Sequence, residues 1–295
     1  MLSIGYFGDG PWAHEAFRKL NEDTNITIKF VSVRHDKKDP VLLKLARENN
    51  IPIEISQNIN AEEFIQKMRG YQVDLFVSMS FNQIFKKQMI NLPKYKTINC
   101  HAGKLPYYRG RNILNWVLIN DEKEFGITVH YVDEGIDTGD IILQRTYPIQ
   151  DQDDYKTLLK RAYTGCAEIL YDAVKEIQQG TVCVVKQDTI DRTGMYCGIR
   201  RPGDEVINWN TGSREIFNFV RALCKPGPIA LSHLNGEEIC INKVRLVEGA
   251  PVYINIPGQI IGKTKEGFYV KTKDTFIEVV DYQYQGKVRV GDRME

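Results

Sequence analysis

The run Ser3-Ile4-Gly5-Tyr6-Phe7-Gly8-Asp9-Gly10, followed by Trp12–Leu20, decides how the first half of the chain reads. A short apolar run ends in glycines, and apolar residues at helical spacing follow at once. This is the pattern of a buried strand turning directly into a helix. The pattern then repeats. Ile28–Val33, Ile51–Ile55, Asp74–Met79 and Thr97–Cys100 read as strands, and Val41–Asn49 and Glu62–Met68 as the helices between them. Strands alternating with helices predict a mainly parallel sheet covered by helices, with ligands bound beyond the C-terminal ends of the strands.

Further along, Arg111–Asn120 reads as a helix, Gly126–Val132 and Ile141–Ile149 as strands, and Tyr155–Gln178 as a long amphipathic helix. Gly194, Gly198, Pro202 and Gly203 then cluster, and the expected division follows them: a first domain over 1–192, a linker over 193–205 and a small domain over 206–295. In the small domain a helix, Ser213–Cys224, precedes short strands punctuated by Asn235-Gly236, Pro257 and Gly267. Asn-Gly tolerates the positive φ of a tight hairpin, and the strand spacing predicts a small barrel or sandwich.

The 295 residues carry 39 basic and 38 acidic side chains, so the bulk charge that usually marks a nucleic-acid partner is absent. No apolar run is long enough to span a bilayer. Met1–Tyr6 reads as a first strand and not as a leader, and the six cysteines are scattered without a C-x-x-C pair. A reducing, cytoplasmic setting without structural zinc or any other metal is the expectation.

Two segments carry the chemistry. In Asn99-Cys100-His101, residues two apart on a strand face the same side, so an oxyanion-donating amide and a proton-accepting imidazole project together. The loop Asp133–Asp140 offers carboxylates between glycines; taken alone it reads as a solvated turn, and its spacing does not match a calcium loop. Gly8–Ala13 fits G-x-G-x-x-A, but Val33-Arg34-His35 ends the second strand where a dinucleotide site needs an acid. His14, His35, His130 and His233 read as structural or exposed.

Asn99–Gly110 (NCHAGKLPYYRG), with Gly126–Asp133 running into Gly135–Asp140, resembles the signature of the folate-dependent formyltransferases, the family that includes methionyl-tRNA formyltransferase. Arg109–Trp116 looks like its members that act on nucleotide-linked amino sugars, and Arg201–Trp209 and Arg221-Ala222 resemble the entry to that family's small C-terminal domain. Ala102-Gly103 departs from the usual small pair after the His. The resemblance implies a Rossmann-like, mainly parallel sheet with helices on both faces, followed by a small OB-like β-barrel. It implies Asn99, His101 and Asp137 as catalytic residues, and N10-formyltetrahydrofolate as co-substrate near Met79, Phe81, Ile84, Asp133 and Gly135. It implies an acceptor, a 4-amino or 3-amino dideoxyhexose on a nucleotide for surface glycan synthesis, near Gly8, Asp9, Gly10, Trp12, Lys104, Tyr107, Arg109 and Arg111. Homodimers occur among such relatives. The alternatives are methionyl-tRNA formyltransferase, weakened by the short, charge-mixed stretch Arg34–Pro40 and the balanced charge of 201–295, and an NAD(P)-dependent oxidoreductase.

Overall fold

The computed structural model describes residues 1–295 and resolves two compact units that are interleaved along the chain. The first comprises Met1–Arg111, Phe125–Tyr147 and Lys160–Cys197; the second comprises Asn112–Glu124, Pro148–Leu159 and Gly198–Glu295. The expected single boundary near 193–205 therefore captures only the last of several crossings.

In the first unit the chain runs β1 (Leu2–Gly8), α1 (Gly10–Asn21), β2 (Ile26–Ser32), α2 (Pro40–Glu48), β3 (Ile53–Glu54), α3 (Glu62–Gly70), β4 (Leu75–Met79), α4 (Lys87–Ile90) and β5 (Thr97–His101). A two-residue strand β6 (Arg109–Gly110) follows. After α5 (Ile113–Ile119) come β7 (Glu124–Tyr131), β8 (Ile141–Pro148), α6 (Tyr155–Gln179), a 3-10 turn at Gln187–Thr189 and β9 (Tyr196–Cys197). The sheet order is β3-β2-β1-β4-β5-β7-β8. Pairing is parallel from β3 through β5 and antiparallel between β5 and β7. The chain goes outward one way from β1 to β3 and the other way from β4, so strand order reverses between β1 and β4, where such sheets leave a crevice.

Alternation along β1 sets both faces of this sheet. The Tyr6 hydroxyl donates to the Ala13 carbonyl and its ring meets Phe17 edge-on, which seats α1 on one side. Phe7 points to the other side, into a cluster with Phe30, Phe64, Met68, Phe76 and Met89 that seats α3 and α4. Four rings, Phe30, Phe76, Phe81 and Phe85, lie edge-on to Phe7 at centroid distances of 5.0–5.5 Å. Edge-to-face pairs add to the burial energy of each ring.

In the second unit, α7 (Ser213–Leu223) precedes an antiparallel sheet ordered β10-β11-β14-β13-β12. Its strands are β10 (Ala230–Leu234), β11 (Glu237–Leu246), β12 (Ile260–Lys263), β13 (Phe268–Lys271) and β14 (Phe276–Gln283). Asn235 and Gly236 both have positive φ, as the hairpin required. The two edge strands are tied by one segment: Arg293 bridges Gln259 beside β12 and Met294 bridges Leu234 on β10. That closure makes the sheet barrel-like and removes its free edges. Helix α5 belongs here because the Asn115 amide donates to the Ala222 carbonyl of α7, and Arg214 pairs with Asp121 and Asp151.

The central position of Phe7 sets an expectation for stability. Phe7→Ala should cost about 3–5 kcal/mol, read as a lower urea midpoint with an unchanged m value.

Candidate active site

The register brings three distant segments together at the C-terminal ends of the central strands. Gly8 lies beside Met79, Ser78 beside Asn99 and Met79 beside Cys100. Cys100 turns toward α6, its thiol near the Cys166 carbonyl, so Asn99 and His101 turn to the opposite face, as the two-residue period demands. Asp137 reaches them from the β7–β8 loop.

His101 is only 9% exposed, and both ring nitrogens face protein atoms. Its Nε2 lies 2.7 Å from the Tyr108 carbonyl oxygen and its Nδ1 lies 3.5 Å from Asp137 Oδ2. A carbonyl only accepts, so Nε2 must carry the proton, and the neutral ring presents a bare Nδ1 on the Asp137 side. At 3.5 Å the two acceptors are not hydrogen-bonded. A proton arriving on Nδ1 would turn the contact into an ion pair. The Tyr108 carbonyl, not the carboxylate, therefore orients the ring, and Asp137 stabilises its charged form. Gly103 makes this possible: a Cβ there would sit 2.5 Å from both His101 Nε2 and the Tyr108 oxygen.

Asp137 is itself held. Its Oδ2 accepts the Gly110 N–H at 2.9 Å, and its backbone adopts a φ of +55°. Non-glycine residues rarely occupy that region unless their surroundings impose it. Here Gln187 imposes it, donating from Nε2 to the carbonyls of Asp137 and Gly139 at 2.8 and 2.7 Å. Gln187 is fixed in turn by Arg109, whose Nε and Nη2 donate to Oε1.

His130, read from the sequence as structural, belongs to this cluster. Its Nδ1 donates to the Tyr131 carbonyl at 2.8 Å, which leaves Nε2 bare to accept from Asn99 Nδ2 at 3.3 Å. That bond fixes the Asn99 amide with its second N–H unpartnered by the protein. His130 Nε2 also lies 3.6 Å from Asp137 Oδ1.

Burial depresses the His101 imidazole below its ordinary value, against the opposing pull of Asp137 and of the Tyr108 bond. Burial alone would raise Asp137, but His101, His130 and the Gly110 N–H outweigh it and hold the carboxyl well below the usual carboxylate range. Near neutral pH the ring is therefore uncharged and the carboxylate ionised, the state of a base ready to take a proton.

The remaining expected site residues divide. Gly8, Asp9 and Gly10 lie where β1 turns into α1, but the Gly10 N–H already donates to Asp39 Oδ2 at 2.6 Å. His14 shares that carboxylate oxygen, and Asp9 meets Arg34 at 3.3 Å. The start of α1 thus holds protein carboxylates, which removes the pyrophosphate role that its glycines suggested. Trp12 packs edge-on against Tyr163. Arg109 is buried, with Gln187 and the Tyr196 ring as partners, so it braces the loop instead of answering a substrate anion. Arg111 is exposed, Lys104 is half-buried, and the Tyr107 hydroxyl donates to Asp191. Met79 is 1% exposed and Phe81 packs on Phe7, so neither side chain forms an open wall; Ile84 is 64% exposed. Asp133 accepts from the Gly135 N–H and the Thr138 hydroxyl, and a Cβ on Gly135 would strike that hydroxyl. Both residues shape the turn that carries Asp137. The sequence reading missed His130, Gln187, the Tyr108 carbonyl, and Thr128 with Gln144, which together fix the 103–105 backbone.

Residues 4–174 match the family described as formyl transferase, and residues 200–292 match its C-terminal domain. The chain belongs to this formyltransferase family. Methionyl-tRNA formyltransferase of Fusobacterium nucleatum subsp. nucleatum is 36% identical over 92% of the chain and 89% of its own length. That of Geobacter metallireducens is 32% identical over 98% and 93%. Among solved structures, a sugar 3N-formyl transferase crystallised with dTDP and 5-N-formyl-THF shares the fold at a TM-score of 0.69 and 23% identity, over 98% of this chain and 99% of that one. The Helicobacter canadensis N-formyltransferase, in complex with folinic acid and dTDP-3-aminofucose, superposes at 0.68 and 22% identity over 96% and 100%. The enzyme is an N-formyltransferase, and the oxidoreductase alternative falls away.

Two outcomes follow for His101. Its titration, followed by ring-proton NMR, should show a midpoint below about 6.5, and Asp137→Asn should lower it further by removing the nearby anion. The unfolded chain then binds a proton that the folded chain refuses, so the unfolding free energy should fall as pH drops through about 6.5 toward the folded midpoint. Gly103→Ala should separate the ring from the Tyr108 carbonyl, seen as a changed Nε2 chemical shift in a chain that still folds.

Proposed function

We propose that this formyltransferase moves the formyl group of N10-formyltetrahydrofolate to the amine of a nucleotide-linked amino sugar. The convergence of the Asn99 amide, the bare His101 Nδ1 and the ionised Asp137 at the C-terminal end of β5 carries the chemistry. The acceptor amine attacks the formyl carbon and forms the new C–N bond. The free N–H of Asn99 takes up the tetrahedral oxyanion, and His101 Nδ1 removes the amine proton, with Asp137 stabilising the imidazolium. The bond to the folate nitrogen then breaks as that nitrogen receives the proton. The exposed Ile84 and the backbone that ends β4 suit the flat face of a pterin.

The β2–α2 connection supports a compact acceptor. It is short, and Arg34 pairs with Asp36 and Asp9, and Asp39 with His14, which leaves Lys37 and Lys38 as its exposed cations outside an ion pair. It presents no basic extension for a polyanion, whose binding depends on many cationic phosphate contacts. The second reading is formylation of methionyl-tRNA, favoured by the names of relatives at 32–36% identity. No helix is long and apolar enough to cross a membrane, and both readings place the reaction in the cytoplasm. The sugar reading further assigns the product to surface glycan synthesis and allows a homodimer.

The two acceptors separate in one assay. Incubation with N10-formyltetrahydrofolate and a panel of nucleotide amino sugars should give a product heavier by one formyl group, with no formylmethionyl-tRNA formed from charged initiator tRNA. The reverse result would overturn the sugar assignment. Asn99→Ala should lower kcat by about 10²–10³, and His101→Gln by about 10²–10⁴.

A further inference from the structure

A cavity of about 280 Å³ opens in the second unit, between the end of β12, the start of β13, the end of β14 and the loop after it. Lys263, Lys287 and Arg289 line it, with Tyr282, Val288 and the buried ring of Phe268 as its apolar floor. None of these residues belongs to the unit that carries Asn99, His101 and Asp137. None of the three cations is in an ion pair, although acids lie close by in sequence. Those acids are committed elsewhere: Glu266 pairs with Arg245 at 2.5 Å, and Asp281 accepts from Asn242 at 2.6 Å. Asp292 accepts the Arg289 backbone N–H at 3.0 Å and the Asn235 amide at 3.4 Å.

Three like charges around one small concavity repel one another, and a folded chain holds them there at a cost unless an anion relieves it. The same lining is partly aromatic: Tyr282 is half-buried, its ring edge-on to Phe268 at 5.0 Å. A flat heterocycle can lie on such a ring while phosphate oxygens meet the cations through charge-assisted hydrogen bonds. We propose that this cavity binds a nucleoside phosphate, with the phosphates against Lys263, Lys287 and Arg289 and the base against Tyr282. Its volume suits a mononucleotide and falls just below the usual range for drug-sized ligands. Glu266 and Asp281 adjoin lining residues in the chain and Asp292 follows them, so the segments that line the cavity are not continuously basic, which disfavours a long polyanion. The site stands independently of the acceptor chosen above.

The test uses the full chain, labelled with ¹⁵N, and uridine diphosphate as probe. The amides of Gly267, Tyr282 and Val288 should shift saturably. The triple variant Lys263→Gln, Lys287→Gln, Arg289→Gln should weaken that response about tenfold or more, with the cross-peaks of the first unit unmoved as proof of folding. Tyr282→Leu should weaken uridine diphosphate while leaving inorganic pyrophosphate, a weaker probe, unchanged. The proposal is overturned if these three amides do not respond at millimolar probe, or if the triple variant binds as tightly as the parent chain. A short single-stranded RNA that binds the same amides more tightly than the nucleotide would also overturn it.

Discussion

The hydrogen bond between the His101 ring and the Tyr108 carbonyl is the constraint on which the site turns. It occupies Nε2 with a proton and leaves Nδ1 as the basic atom. Everything around it serves that assignment. Gly103 gives the ring room to reach the carbonyl. Gly110 and Gln187 hold Asp137 where it can meet the charged ring without capturing the neutral one. His130 repeats the device one strand over: its Nδ1 is tied to a carbonyl, and its Nε2 orients the Asn99 amide. Two imidazoles, each with one nitrogen fixed by backbone, aim an acceptor and a donor at the same space. His101 Nδ1 and the second N–H of Asn99 are left without a hydrogen bond from the protein, and that is a cost a fold carries where chemistry requires it.

Much of this was legible in the sequence, because the signals were local. The turn from Phe7 into Gly8-Asp9-Gly10, and the strand–helix alternation after it, define the parallel sheet through periodicity alone. The two-residue period of Asn99-Cys100-His101 places amide and imidazole on one face whatever else the fold does. Asn235-Gly236 marks its hairpin by steric tolerance. Asp137 was less accessible, since its loop resembles any acidic turn; only the resemblance of the whole segment to a known family singled it out.

What escaped is held by contacts between residues far apart. Arg109 looks like a phosphate ligand until its partner Gln187, 78 positions later, occupies the guanidinium. His130 looks like a core residue because it is one, at 2% exposure; its role depends on which nitrogen the adjoining carbonyl takes, and a strand pattern does not encode that. The start of α1 looks like a phosphate cradle until Asp39, from the next loop, fills it. In each case the residue type is legible and its partner is not, since contacts between distant segments are set by topology and not by spacing.

The interleaving of the two units bears on how such a chain is inherited and rearranged. Residues 112–124 and 148–159 are encoded inside the catalytic half yet pack with residues beyond 198. Asn115, for example, waits for a carbonyl 107 positions downstream. No single cut separates the units: a fragment ending at 197 would keep two segments whose apolar faces, Ile113, Leu114, Val117 and Leu118 among them, had lost their cover. Recombination that exchanged only the trailing segment would have to match these embedded patches as well. The modular look of a catalytic sheet followed by a barrel therefore conceals a pair that must change together.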